Sequence, residues 1–139
     1  MPTPITESRE QLIDAVVKVL AKDDRVIFAY LYGSMVREGK GNDIDLAVFP
    51  ESRVDCYLLA VDLKIELHKE TGLPPDTFDV RLIGDLIETG DLFGLLYLRN
   101  VLDGGRILVD KNRDVRADFL ERYGLKFREC EGLIQEILA

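Results

Sequence analysis

Apolar and polar positions along the chain change rhythm several times, and each change marks an element. Leu12, Ile13, Val16, Val17 and Leu20 recur at three- and four-residue spacing, the stripe of a helix packed on one side. Thr6 or Ser8 is placed to cap it, and the pattern runs to about Lys22. RVIFAYLY (25–32) is a near-continuous apolar run, expected for a central strand buried on both faces. Gly33-Ser34 ends that strand. Residues 34–38 read as one helical turn, and Gly39-Lys40-Gly41-Asn42 has the composition of a connector. DIDLAVFP (43–50) is a second strand closed by Pro50.

Ser52 is expected to cap a second long helix over about 53–71, stopped by Thr71-Gly72 and followed by the rigid link Leu73-Pro74-Pro75. TFDVRLI (77–83) alternates as a third strand. Phe78, Val80 and Leu82 face one way, and Asp79, Arg81 and Ile83 the other. Asp85 caps the next segment. A helix over 91–102 should bury Leu92, Leu95, Leu96 and Leu98, Gly104-Gly105 ends it, and RILVD is a short fourth strand. A last helix is expected over about 112–138, bent at Gly124. Its apolar set, with Tyr123 and Phe127, hints at more surface than one small core covers.

Together these elements predict one α+β domain spanning 1–139: a small mixed β-sheet with helices packed mostly on one side. The 139 residues suffice for a real core, and 47% apolar with 32% charged residues is an ordinary globular balance. No apolar run approaches the ~20 residues of a membrane span, and MPTPITESRE has no signal pattern. A cytoplasmic protein without membrane association is expected. The net charge of −8 argues against nucleic acid as a partner, because neutralising phosphates takes cationic surface. Cys56 and Cys130 read as reduced thiols packed in helices. His68, the only histidine, reads as a helix-surface or boundary residue.

One constellation stands out chemically. Asp43 and Asp45 open the second strand and project from the same side of it. Side-by-side carboxylates repel each other, a cost that divalent cations between them remove. The Gly33-Ser34 turn just before them offers backbone N–H groups to a phosphate. A lone Asp inside a strand is disfavoured, so Asp79 also asks for a reason.

The stretch GSMVREGKGNDIDL (33–46) resembles the Gly-Ser…Asp-x-Asp signature of the nucleotidyltransferase superfamily related to DNA polymerase β, and most closely its minimal (MNT-type) members. Gly33, Ser34 and Arg37 match, Val36 stands in for Ala, and Glu38 delays the glycine to Gly39. Eight residues separate Ser34 from Asp43, about two fewer than is common in the family.

The resemblance implies the nucleotidyltransferase fold, with Asp79 as the third carboxylate beside Asp43 and Asp45. Those three would be both catalytic and metal-holding, with two Mg2+ ions or Mn2+ in their place. Gly33, Ser34 and Arg37 would bind ATP or another NTP. NMP transfer to a hydroxyl is the implied reaction. A HEPN-domain protein or a second copy is the implied partner, and an antitoxin role the implied biology. A non-catalytic nucleotide- or partner-binding module of the same fold, and a small-molecule (aminoglycoside-like) transferase, are the alternatives.

Overall fold

The computed structural model describes residues 9–33, 43–89 and 91–138. The expected caps Thr6 and Ser8, the helical turn at 34–38 and the connector at 39–42 lie outside them. Helix α1 (Arg9–Lys22) buries Leu12, Ile13, Ala15, Val16, Val19 and Leu20. The turn behind it is fixed by Asp23, whose carboxylate accepts from the Arg25 backbone N–H at 3.0 Å and from its guanidinium at 2.7 Å. Strands β1 (Val26–Tyr32) and β2 (Ile44–Pro50) follow.

β2 leads into α2 (Cys56–Thr71) and then β3 (Phe78–Leu82), entered through a 3-10 turn at Pro75–Thr77. The chain continues as a short α3 (Leu86–Thr89), α4 (Leu92–Gly104), β4 (Arg106–Asp110), α5 (Arg113–Glu129) and α6 (Glu131–Leu138). The four strands lie in the order β3-β2-β1-β4. β1 is antiparallel to both β2 and β4, while β2 and β3 are parallel. Parallel neighbours need a long crossover, and α2 supplies it. The mixed sheet and the α+β class are as expected.

The helices, however, divide between the two faces and do not gather mostly on one. α1 and α2 cover the face presenting Ala29, Leu31, Ile44, Leu46, Val48, Phe78 and Val80. The other face presents Phe28, Tyr30 and Ala47 to Leu98 and Val101 of α4 and Phe119 of α5. The cause is in the central strands: alternate side chains on both sides are apolar, so each side must be covered.

Two helix ends fall elsewhere than expected, the start of α2 and the break in the last helix, while α2 stops at Gly72 and α4 opens on Asp91 as expected. α2 begins after Asp55, whose Oδ1 accepts from the Leu58 N–H at 3.1 Å, and Ser52 lies in the preceding turn. Its far end closes on Gly72, at φ 78°, whose N–H reaches the His68 carbonyl. α4 is capped by the Asp91 side chain and buries Leu95 and Leu98, with Leu92 and Leu96 half-buried. The last helix breaks at Cys130 and not at Gly124. There one N–H is shared between the Lys126 and Phe127 carbonyls, at 3.2 and 3.1 Å, which tightens the final turn.

Both thiols are free, Cys56 exposed and Cys130 half-buried. The His68 ring sits at the end of α2 with Nδ1 2.8 Å from the Leu73 carbonyl, an exposed boundary role as expected.

Candidate active site

The sheet's topology delivers three strand ends to one place. β1 runs toward Tyr32 and Gly33, whereas β2 and β3 start there, at Ile44 and Phe78. In the register Tyr32 pairs with Asp45, and Asp45 pairs with Asp79. One rung across three strands therefore reads Tyr32, Asp45, Asp79. Paired residues share a face, here the one covered by α4 and α5. Asp79 thus lies on the same side as Asp45, and β3 buries Phe78 and Val80 on the other while leaving Asp79 and Arg81 exposed.

The carboxylates feel one another. Asp45 is half-buried, and its carboxyl is pushed above the usual range, first by burial, then by the negative charge of Asp79 and then by that of Asp43. Their donor chemistry suits a hard divalent cation, which oxygen ligands favour. Among the described residues no three such side chains stand in a ready ligand cage.

Gly33 is fixed by this neighbourhood. Its φ is +82°, and a Cβ placed on it would lie 2.5 Å from Asp45 Oδ2. Any other residue would strain the backbone and drive the Asp45 carboxylate from its position. The turn and the aspartate are therefore built together. Ser34 and Arg37 lie outside the described residues.

Three further side chains belong to the same neighbourhood. The Tyr97 hydroxyl, from α4, donates to the Tyr32 hydroxyl at 2.9 Å, and the two rings meet edge to face at 5.5 Å. Burial pushes both phenols above their ordinary range; the charge of Asp79 adds to that in both, and the charge of Asp45 in Tyr32. The Arg81 guanidinium lies over the Tyr97 ring, 4.1 Å from its centroid. Alternation along β3 already sets Arg81 on the Asp79 face; Tyr97 carries no local signal, since only the packing of α4 brings it here.

A cavity of about 590 Å³ opens among Ile27, Phe49, Pro50, Val54, Gly84 and Val115. It lies at the opposite end of β2 from Asp45, so it is separate from the carboxylates.

The four-stranded mixed sheet with its helices matches the nucleotidyltransferase fold. The chain belongs to that family: the model described as "Polymerase beta, Nucleotidyltransferase" matches residues 14–114. Solved structures of similar fold include a toxin–antitoxin complex with AMP-PNP, at 17% identity and TM-score 0.59 over 91% of this chain and 98% of that one. Another is a tri-AMPylated Shewanella oneidensis HEPN toxin in complex with MNT antitoxin, at 17% identity and TM-score 0.59 over 94% and 99%. A third is a MntA–HepT toxin–antitoxin complex, at 16% identity and TM-score 0.56 over 94% and 99%. Curated proteins include no match. Among the described residues no helix is long and apolar enough to cross a membrane.

Proposed function

We propose that this protein transfers a nucleoside monophosphate, AMP in the best-supported case, from a nucleoside triphosphate to a hydroxyl acceptor. The observation that carries this reading is the rung of Asp45 and Asp79 beside Gly33, on the family's fold, with the negative charge of Asp43 also felt at Asp45. In the reaction the acceptor oxygen bonds to the α-phosphorus, the bond from that phosphorus to the bridging oxygen breaks, and pyrophosphate leaves. The hydroxyl proton is released to water.

Asp43, Asp45 and Asp79 are the residues that would hold two Mg2+ ions, or Mn2+. Bound there, divalent cations would supply Lewis acidity toward the hydroxyl and charge neutralisation on the triphosphate. Gly33 and Ser34 grip the β- and γ-phosphates through N–H and hydroxyl groups, and Arg37 adds a charge-assisted contact. The fold's share is positioning and charge, without a covalent enzyme intermediate.

The acceptor in this reading is a tyrosine of a HEPN-type toxin, which makes the protein its antitoxin. Support comes from the similar folds found in toxin–antitoxin complexes, one of them with a tri-AMPylated HEPN toxin. The exposed Leu125, Leu133, Ile137 and Leu138 near the C-terminus are consistent with a partner surface.

The test is transfer from α-labelled ATP with Mg2+ to a HEPN-domain protein, by the wild type and by the Asp43→Asn/Asp45→Asn double variant. Label on the partner with wild type only is expected. Equal labelling by the variant removes these carboxylates from the chemistry. Equal partner binding by both proteins with no label from either leaves a binding module.

A further inference from the structure

Arg81 is a cation that the fold holds beside the carboxylates without pairing it to any of them. It projects from β3 on the same face as Asp79, two residues along. No carboxylate lies within ion-pair distance of it among the described residues, although most arginines near the sheet ends are paired: Arg25 with Asp23 and Asp62, Arg106 with Glu10, Arg116 with Asp110. Its guanidinium instead rests on the Tyr97 ring, 4.1 Å from the centroid. That ring is braced by its hydroxyl on Tyr32.

An arginine stacked on an aromatic face keeps its outward N–H fork open for a planar oxyanion, and the stack removes part of the side-chain freedom that binding would otherwise cost. In a chain of net charge −8, an exposed and pre-oriented arginine at a carboxylate site is a specific device. Its position also matters. Gly33 flanks Asp45 from the β1 side, and Arg81 stands on β3, with β2 between them. Arg81 stands opposite Ala47, one rung along from the Asp45–Asp79 pair on the same face.

We propose that Arg81 is the anion-recognising residue of this site, receiving a phosphate or carboxylate oxygen of a substrate on the β3 side of the carboxylates. The inference rests on the transferase reading above for what the substrates are. If the anion is a phosphate, it belongs to the triphosphate. If it is a carboxylate, it belongs to an acidic residue beside the acceptor hydroxyl, and Arg81 selects the acceptor.

Two measurements on wild type, Arg81→Gln and Arg81→Lys separate these sources. The first is calorimetry with Mg·ATP and with inorganic pyrophosphate. The second is label transfer to two tyrosine peptides that differ only in Glu or Gln beside the tyrosine. Loss of about tenfold in affinity for ATP and pyrophosphate with Arg81→Gln assigns the anion to the triphosphate, a charge-assisted contact being worth that much or more. Unchanged affinity, with the wild-type preference for the Glu peptide lost in the variant, assigns it to the acceptor. Arg81→Lys should recover part of either effect, because it keeps the charge without the planar stack. Thermal melts of all three proteins should agree closely.

If Arg81→Gln binds both anions and discriminates the peptides as wild type does, the proposal is overturned. It is overturned equally if the losses appear only alongside a lowered melt and Arg81→Lys recovers none of them. A protein that loses pyrophosphate affinity on Arg81→Gln, yet as wild type labels no acceptor, overturns the transfer reading and leaves Arg81 as an anion-binding residue.

Discussion

Under α1 and α2 the sheet presents, apart from Phe78, aliphatic side chains to aliphatic side chains: Leu31, Leu46 and Val48 against Leu20, Leu59, Leu63 and Leu67. Under α4 and α5 it presents aromatic rings, and the tyrosines among them carry polar ends. Phe28 and Phe49 stack at 4.6 Å, and Phe119 meets both rings edge-on. Around them the Arg116 guanidinium donates to the Tyr30 hydroxyl and to Asp110, and Tyr97 donates to Tyr32. The aliphatic side chains of the first face carry no polar atom to satisfy and no direction to enforce, so they can serve stability alone. On the second face each of these polar tips fixes an orientation, and the carboxylates stand on that face. One sheet thus separates holding the fold together from aiming side chains.

The largest expected effect breaks the second face without touching the first. Asp43→Asn together with Asp45→Asn should lower nucleotidyl transfer by orders of magnitude, each ~1.4 kcal/mol of lost transition-state stabilisation costing tenfold. In metal-free buffer the same variant should melt higher than wild type, because the like charges around Asp45 are gone. Differential scanning calorimetry beside the transfer assay reads both. A variant that melts lower in chelator contradicts the repulsion.

The converse substitution breaks the first face. Leu63, 1% exposed, packs in the α2 stripe on the face of the sheet opposite the carboxylates. Leu63→Ala should cost about 2–5 kcal/mol in urea unfolding and leave transfer per folded molecule unchanged. A fall in that specific activity would mean the two faces are coupled.

Much of this division is legible in the order of residues alone. The first strand follows from its near-continuous apolar run ended by Gly33-Ser34, and the placing of Asp79 and Arg81 on one face follows from the period-two alternation of β3. The distribution of helices is less accessible. Phe28, Tyr30 and Ala47 are apolar enough to demand cover, but which helix supplies it depends on the sheet order. Helix ends escape for local reasons. Ser52 and Asp55 are both capable caps, and the chain's turn after Pro50 decides for Asp55. Gly124 stays helical since a helix tolerates one glycine at a cost of about 1 kcal/mol. Tyr97 is invisible as a site residue, because its partner Tyr32 is 65 positions away.

A finer probe of the second face is Tyr97→Phe, which keeps the ring under Arg81 and removes the hydroxyl that braces it. A stability loss of about 1 kcal/mol is expected for the lost hydrogen bond, against the larger loss from Leu63→Ala. Denaturant midpoints for the pair rank the faces directly.

The smallest effect is a pH dependence outside both faces. Arg25 holds the Asp23 carboxyl below its ordinary value, chiefly through their side-chain hydrogen bond. A depressed folded-state pKa stabilises above the unfolded value, near 4, and that contribution disappears as pH falls through the folded value. Partial exposure limits it to less than about 1 kcal/mol. Wild type should exceed Asp23→Asn in stability at pH 7, and the gap should close in acid. A gap that widens on acidification reverses the assigned sign.

The Tyr32–Tyr97 hydrogen bond has an optical consequence. The chain contains five tyrosines and no tryptophan, so its near-ultraviolet absorption and emission are tyrosine signals with nothing brighter above them. Two of the five chromophores touch each other beside Asp45 and Asp79, and one of them lies beneath a guanidinium. Charge arriving at the carboxylates alters the field across both phenols. The protein therefore carries its own spectroscopic reporter, readable by difference absorbance or near-ultraviolet circular dichroism without any label, and Tyr97→Phe removes one of its two chromophores.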